Sequence, residues 1–126
     1  MKKLLSLAAV LVLSGAIAAT AAASLRTYIV GSKYVRGVGA TGSFKGTVKK
    51  PYKILLYCEG ASARCGATVA CVAGTRTFTW DRSGLAPGTW NLKKKTWTRL
   101  DSCRFTATIR SGFKDARVTV QATVRS

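Results

Sequence analysis

Histidine is absent from the sequence, and the carboxylate residues are limited to Glu59, Asp81, Asp101 and Asp115. General acid–base and nucleophilic mechanisms usually depend on histidine or on a pair of carboxylates. A glycosidase pair of Glu59 and Asp101 is the alternative, since both lie near cysteines. Capping of turns or strand ends is the simpler interpretation of the three aspartates, and nothing specifically indicates a Ser–Lys dyad. We therefore expect no catalytic residues and no enzymatic activity.

No charged residue interrupts the chain between Lys3 and Arg26. Two lysines precede an apolar run over residues 4–17, and small residues follow it up to Ala23, which is the layout of a secretory signal peptide. The run is shorter than the roughly 20 residues that a helix needs to cross a bilayer. We predict a cleaved signal peptide over residues 1–23, and a retained membrane anchor is the alternative.

The cleavage position is open to within a few residues. Cleavage after Ala23 fits the small-x-small rule best, while Ala18 and Ala21 also satisfy it. Cleavage after Ala23 leaves residues 24–126, the size of a single domain. No cysteine precedes Cys58 to carry a lipid. We expect one soluble domain that is secreted or periplasmic.

The four cysteines, Cys58, Cys65, Cys71 and Cys103, lack the pattern of a metal site. They form no C-x-x-C pair, and no histidine is present to complete a zinc site. Four cysteines in a short exported chain instead predict two disulfides. We expect no metal and no cofactor.

Apolar residues at three-to-four spacing, which mark amphipathic helices, are missing from residues 24–126. Gly, Ser and Thr instead recur every roughly 8–12 residues between short β-branched and aromatic runs. This pattern predicts an all-β, antiparallel β-sandwich of roughly seven to nine strands, with a small OB-type barrel as the alternative. The predicted strands are Leu25–Val30, Lys33–Val38, Phe44–Val48, Tyr52–Cys58, Ala67–Val72, Arg76–Trp80, Thr89–Lys94, Thr96–Leu100, Cys103–Arg110 and Ala116–Val124.

Alternation of apolar and polar residues is clearest in the predicted strands Cys103–Arg110 and Ala116–Val124. Because successive side chains of a strand point to opposite faces, we predict a hairpin of these two strands with one buried face and one wet face of Thr and Arg. Its turn is predicted at residues 111–115. The segment Tyr52–Tyr57 is more continuously apolar, which predicts a central strand buried on most of both sides.

The same alternation favours one disulfide pairing. Cys71 and Cys103 both fall on inward faces, so a Cys71–Cys103 bridge would join two strands through the core. A Cys58–Cys65 bridge would then clasp a hairpin loop over residues 59–64. Four cysteines allow three pairings, and Cys58–Cys103 with Cys65–Cys71 is the next alternative.

The segment Phe78–Trp90 reads FTWDRSGLAPGTW. An aromatic-Asp pair that ends one strand, followed by a small-Pro-Gly-Thr-aromatic run that starts the next, resembles the strand, turn and strand of many bacterial immunoglobulin-like domains. The resemblance implies an immunoglobulin-like β-sandwich in a secreted bacterial protein, with Asp81 capping the turn and Trp80 and Trp90 in the core beside it. It implies no binding or catalytic residue, since such domains serve many unrelated roles.

Charge of one sign dominates the chain, because 21 lysines and arginines stand against 4 acidic residues, for a net charge of +17. Loss of Lys2 and Lys3 with the signal peptide leaves +15, well above the magnitude of about 2–8 that suits simple solubility of a small domain. Such an excess attracts anionic polymers or surfaces with a salt-sensitive affinity. The candidate anion-binding residues are Lys49, Lys50, Lys53, Lys93, Lys94, Lys95, Trp97, Arg99 and Arg104, with Trp97 or Tyr52 as a stacking platform; Lys45, Arg110, Arg117 and Arg125 add charge.

These patterns predict an exported, monomeric, non-enzymatic basic module that associates with an anionic cell-envelope or extracellular polymer. Partners of this chemistry are teichoic acid, lipopolysaccharide, nucleic acid, lipid head groups or an acidic protein. One alternative is a secreted protein-binding or inhibitory module that acts through loops such as residues 59–64. Another is a cationic antibacterial or membrane-active protein. A solvated basic surface without a specific partner is the simplest alternative for any single lysine cluster.

Overall fold

The computed structural model describes residues 24–93 and 99–126. The predicted signal peptide lies outside the described residues, as do Lys94, Lys95 and Trp97 and most of the predicted strand Thr96–Leu100. Eight strands are described: β1 Leu25–Val35, β2 Thr41–Lys49, β3 Pro51–Glu59, β4 Arg64–Ala73, β5 Arg76–Leu85, β6 Gly88–Asn91, β7 Ser102–Arg110 and β8 Ala116–Arg125.

The strands form two four-stranded antiparallel sheets. The first sheet has the order β1-β8-β3-β6 and the second has the order β2-β7-β4-β5. Buried side chains of both sheets form one core between them. The predicted all-β sandwich is therefore confirmed, with two separate sheets in place of one closed barrel.

Alternation of apolar and polar residues produces this core. In β8 every second residue is buried, from Ala116 to Val124, while the residues between them are partly or fully exposed. In β7 the buried set starts at Cys103 and ends at Ile109. Burying one such Val, Ile or Phe side chain stabilises the fold by about 1.5–3 kcal/mol, so the alternation fixes which face of each strand turns inward.

The predicted hairpin of β7 and β8 is wrong. Each strand has the predicted buried and exposed faces, but β7 pairs with β2 and β4 in the second sheet, whereas β8 pairs with β1 and β3 in the first. The connection at residues 111–115 therefore crosses from one sheet to the other. Alternation identifies the inward face of a strand equally well in either arrangement, so it did not distinguish them.

The boundaries near the edges of the sheets also differ from the prediction. β1 is one strand with an irregularity between Ile29 and Gly31, where two strands were predicted. β5 continues through Asp81, which lies opposite Thr68, as far as Leu85. The predicted role of Asp81 as a turn cap is therefore wrong, because pairing with β4 carries the strand past it.

The disulfides have the favoured pairing, Cys58–Cys65 and Cys71–Cys103. Their topology differs from the expectation. Cys71 and Cys103 lie directly opposite each other on the neighbouring strands β4 and β7, on the inner face of the second sheet. Cys58 and Cys65 join β3 of the first sheet to β4 of the second, so this bridge links the two sheets. Two such bridges fit an oxidising compartment.

Strand β3 lies between β8 and β6 within the first sheet, as expected for a central strand. Ile54 and Leu56 are fully buried on its inner face. Its outer face is less buried than predicted, because Lys53 is exposed and Leu55 and Tyr57 are only half-buried. The Tyr57 hydroxyl donates a 2.8 Å hydrogen bond to Oε1 of Gln121. Trp80 and Trp90, which the resemblance placed in the core, are partly buried residues that pack against it.

Candidate anion-binding face

The outward side of the second sheet carries five exposed cations. The alternation that turns Val48, Val69 and Phe105 inward turns the neighbouring polar residues outward. We call this surface the basic face and define it by its cations: Lys45 and Lys49 of β2, Arg64 of β4, and Arg104 and Arg110 of β7.

Hydroxyl side chains fill most of the positions between these cations. They come from the same outward rows of β2, β4 and β7. Hydroxyl, ammonium and guanidinium groups are all hydrogen-bond donors that a phosphate or sulfate oxygen can accept from. Strand β5 adds one carboxylate on this side, Asp81, opposite Thr68. The intervening hydroxyls are those of Thr41, Ser43, Thr47, Thr68, Thr106 and Thr108.

Arg64 and Arg110 are directly opposite each other on the neighbouring strands β4 and β7. Side chains in this relation have Cβ atoms about 4.5–5.5 Å apart, and like charges there destabilise the pair. Arg110 faces Thr41 on its other side, so the strand pairing on neither side gives it an acidic partner. An anion bound between the two guanidinium groups would relieve the repulsion.

A second group of cations lies further along the same strands. Arg104 is directly opposite Thr47, and Lys45 and Lys49 lie two residues to either side of Thr47. Both lysines are therefore diagonal neighbours of Arg104, at roughly 7–8 Å. The group places three positive charges around one cross-strand pair.

Two open grooves run along the basic face, each with a volume of about 420 Å³. The first is lined by Lys45, Thr68, Arg104 and Thr106, among others. The second is lined by Ser43, Arg64, Gly66, Ser83, Thr108 and Arg110, among others. No carboxylate lines either groove.

Gly66 is one of the residues that line the second groove. A Cβ atom at this position would lie 2.9 Å from the carbonyl oxygen of Arg82 and 3.0 Å from Oγ1 of Thr108. The nearer of these atoms belongs to the backbone and cannot rotate away. A larger residue would therefore force β4 and β5 apart.

The predicted candidates do not all share one surface. Lys49 and Arg104 lie on the basic face, but Lys53 lies on the outward side of the first sheet, opposite Thr123. Lys50 occupies the turn between β2 and β3, with a φ of 51°, and Arg99 is exposed just before β7. The lysine cluster of residues 45–53 is split because this turn leads from one sheet to the other.

Lys93 is only 7% exposed. Burial lowers the pKa of its ammonium group, and the positive charge of Arg125 lowers it further. Its burial therefore separates it from Arg99 and Arg104, which were predicted with it and are exposed.

Arg64 is a member of the basic face that sequence reasoning missed. The predicted strand started at Ala67, which left Arg64 in a loop, whereas β4 starts at Arg64 itself. The sequence did carry a signal, because Arg64, Gly66 and Thr68 alternate with Cys65, Ala67 and Val69. That alternation extends the strand to Arg64 and places it on the outward side.

Comparison with known proteins gives no family. No family model matches the chain, and no curated protein matches it. Two solved viral structures resemble it in part. The C-terminal domain of A223, a structural protein from sulfolobus turreted icosahedral virus, is 10% identical with a TM-score of 0.46, over 77% of this chain and 98% of that domain. A chain in the structure of infectious bursal disease virus Gt strain is 12% identical with a TM-score of 0.35, over 81% of this chain and 33% of that one. Similarity at this level carries no conclusion about family or function.

The part of the chain within residues 24–93 and 99–126 contains no group of three or more His, Cys, Asp or Glu side chains placed to hold a metal ion. It also contains no helix that is long and apolar enough to cross a membrane.

Proposed function

We propose that this chain is an exported, non-enzymatic binding module whose basic face associates with an anionic polymer of the cell envelope or the extracellular space. The cross-strand pair of Arg64 and Arg110 carries the proposal. Two directly opposed arginines lower the stability of the free protein. An anionic ligand bound between them removes this repulsion, which adds to the affinity.

The shape of the basic face favours a polymer over a small molecule. Pockets for small ligands are concave and enclose most of the ligand, whereas both grooves here are open along the sheet. An extended polyanion can contact Lys45, Lys49 and Arg104 and the arginine pair at the same time. Each contact that neutralises a phosphate releases counterions, so the affinity falls steeply with salt.

Export forms the second part of the proposal. The basic, apolar and small-residue segments of residues 1–23 have the layout of a signal peptide, and both disulfides agree with an oxidising compartment. We propose that the protein acts in a periplasm or outside the cell, where teichoic acid, lipopolysaccharide and free nucleic acid are available polyanions.

Removal of three cations from the basic face tests the proposal. We expect the K45Q/K49Q/R104Q variant to bind immobilised teichoic acid, lipopolysaccharide or DNA at least about tenfold more weakly at low salt. For a DNA ligand, the slope of log affinity against log salt should fall by about 2 to 3, because three phosphate contacts are lost. Retention across a salt series measures both quantities.

The matched control removes the same charge from the first sheet. The R26Q/K53Q/R117Q variant removes one cation from each of β1, β3 and β8, and all three lie outside the basic face. It should keep most of the affinity and most of the slope. Equal losses in the two variants would show that net charge, and not the basic face, determines binding.

A further inference from the structure

Three loops meet at one end of the sandwich: residues 36–40, 60–63 and 111–115. We call this region the loop end. Backbone hydrogen bonds join the first loop to the third, from Gly37 N to Lys114 O (3.0 Å), from Gly39 N to Ser111 O (3.1 Å) and from Ser111 N to Ala40 O (2.8 Å). The second loop packs directly against the third, because Gly112 lies against the backbone of Ser62 where a Cβ atom would collide.

The side chain of Ser111 reinforces this arrangement from inside. It is 1% exposed, accepts a 3.2 Å hydrogen bond from Ala40 N, and donates to the carbonyl oxygen of Gly37. The loop end is thus held together by backbone hydrogen bonds and by the hydrogen bonds of the buried Ser111 side chain. The exposed residues of its loops therefore keep a defined position.

Two apolar side chains project from these hydrogen-bonded loops. Val38 is 77% exposed and Phe113 is 62% exposed, the highest values among the large hydrophobic residues of the described ranges. Val38 belongs to the first loop and Phe113 to the third, so both lie at the same end of the molecule. Neither side chain contributes to the core, and fold stability does not explain an exposed aromatic ring there.

Four cations lie in the loops of the loop end or at the strand ends beside them. Arg36 and Lys114 are exposed in the same loops. Arg64 and Arg110 line a pocket of about 340 Å³ together with Val38, Ser62 and Ser111. The loop end also carries Asp115, whose Oδ2 accepts a 2.7 Å hydrogen bond from the Tyr34 hydroxyl, and Glu59 lies nearby at the end of β3. The four cations outnumber these two carboxylates.

We propose that the loop end docks on an anionic phospholipid bilayer. Val38 and Phe113 enter the boundary between head groups and acyl chains, and the pocket beside them receives a lipid phosphate between Arg64 and Arg110. Lys114 and Arg36 contact neighbouring head groups. This function goes beyond polymer binding, since apart from the arginine pair it depends on residues outside the basic face.

The chemistry of the loop end suits a lipid surface better than a protein. A stable protein interface buries about 800 Å² on each partner around a contiguous apolar centre, whereas the large apolar side chains exposed in the three loops are Val38 and Phe113. Interfacial membrane binding needs only a few inserted apolar side chains together with basic residues that are attracted to anionic lipids. The excess of positive charge at the loop end complements such a surface.

Vesicle sedimentation of the processed protein, purified from the cells that export it and with its N-terminus determined by mass spectrometry, tests the proposal. We expect binding to vesicles of equal parts phosphatidylglycerol and phosphatidylcholine, and little binding to phosphatidylcholine alone. The V38S/F113S variant should bind the anionic vesicles about ten- to a hundredfold more weakly, since burial of a Phe and a Val side chain is lost. Both substitutions are at exposed positions, and a thermal melt checks that the variant folds.

The matched control is L25S/I29S, which removes two exposed apolar residues from β1, away from the loop end. It should bind the vesicles within about twofold of the unchanged protein. The V38S/F113S variant should also keep its retention on teichoic acid and DNA, which separates this proposal from the function of the basic face. Absence of vesicle binding, or equal binding by V38S/F113S and the unchanged protein, would overturn it. Equal losses in both variants would do the same.

Discussion

At the scale of single residues, burial separates Lys93 from the exposed lysines of the basic face. Its side chain is 7% exposed and lies near the positive charge of Arg125. Arg125 itself is held in place, since its guanidinium donates a 2.9 Å hydrogen bond to the carbonyl oxygen of Leu100. The sequence gave no signal that Lys93 is buried, because burial depends on the packing of residues far apart in the chain.

The lowered pKa of Lys93 predicts a pH dependence of stability. In the alkaline range below its ordinary value of 10.5, the unfolded chain keeps a proton on this lysine that the folded protein has already released. The unfolded state then binds more protons than the folded state, so the contribution of Lys93 to the free energy of unfolding increases with pH. The cost of burying the charged form is present at neutral pH and is lost as the pH rises towards 10.5.

The K93M variant isolates this effect. Urea unfolding between pH 7 and pH 10.5 should show the unchanged protein gaining stability relative to K93M as the pH rises. K53M, which removes one exposed lysine charge, serves as the control for net charge. A constant difference between K93M and the unchanged protein over this range would contradict the account.

At the scale of elements, the two disulfides perform different tasks. Cys71–Cys103 joins neighbouring strands within the second sheet, with a sequence separation of 32, while Cys58–Cys65 joins the two sheets, with a separation of 7. In the chain-entropy model a longer closed loop restricts the unfolded chain more. The longer bridge should therefore stabilise the fold more, although the shorter one connects the two layers.

Paired alanine substitutions test this order. We expect C71A/C103A to lower the free energy of unfolding by about 4 kcal/mol and C58A/C65A by about 2.5 kcal/mol. Denaturant unfolding of both variants and of the unchanged protein under oxidising conditions measures the losses. The reverse order would show that linkage of the two sheets contributes more than loop closure.

Much of the element level could be predicted from the sequence, because a strand pattern reports which side chains are buried. The inward faces of β7 and β8 follow from alternation alone, and alternation favoured the observed disulfide pairing among the three that four cysteines allow. The assignment of β7 and β8 to different sheets does not, since a short connection can join two strands as a hairpin or lead from one layer to the other. Pairing with β2 and β4 on one side, and with β1 and β3 on the other, depends on the whole core.

At the scale of the whole molecule, the composition predicted a protein that binds anions, and the fold shows on which surfaces the positive charges lie. The lysines of residues 45–53 are divided between the two sheets by one turn, and Arg64 joins Arg110 across strands from a position that the sequence placed in a loop. The distribution of the charges over the faces of the sandwich depends on the strand topology, and net charge gives no information about topology. The sequence could therefore predict a positively charged surface, but not which residues form it.

A polymer titration followed by NMR of the backbone amides tests the central claim most directly. A short glycerol-phosphate oligomer, added to the protein at low salt, should shift amide signals of β2, β4 and β7, with the largest changes near Arg64, Arg104 and Arg110. The outward residues of β8 and β3 should change little. Shifts concentrated on β8 and β3, or spread evenly over both sheets, would contradict the assignment of anion binding to the basic face.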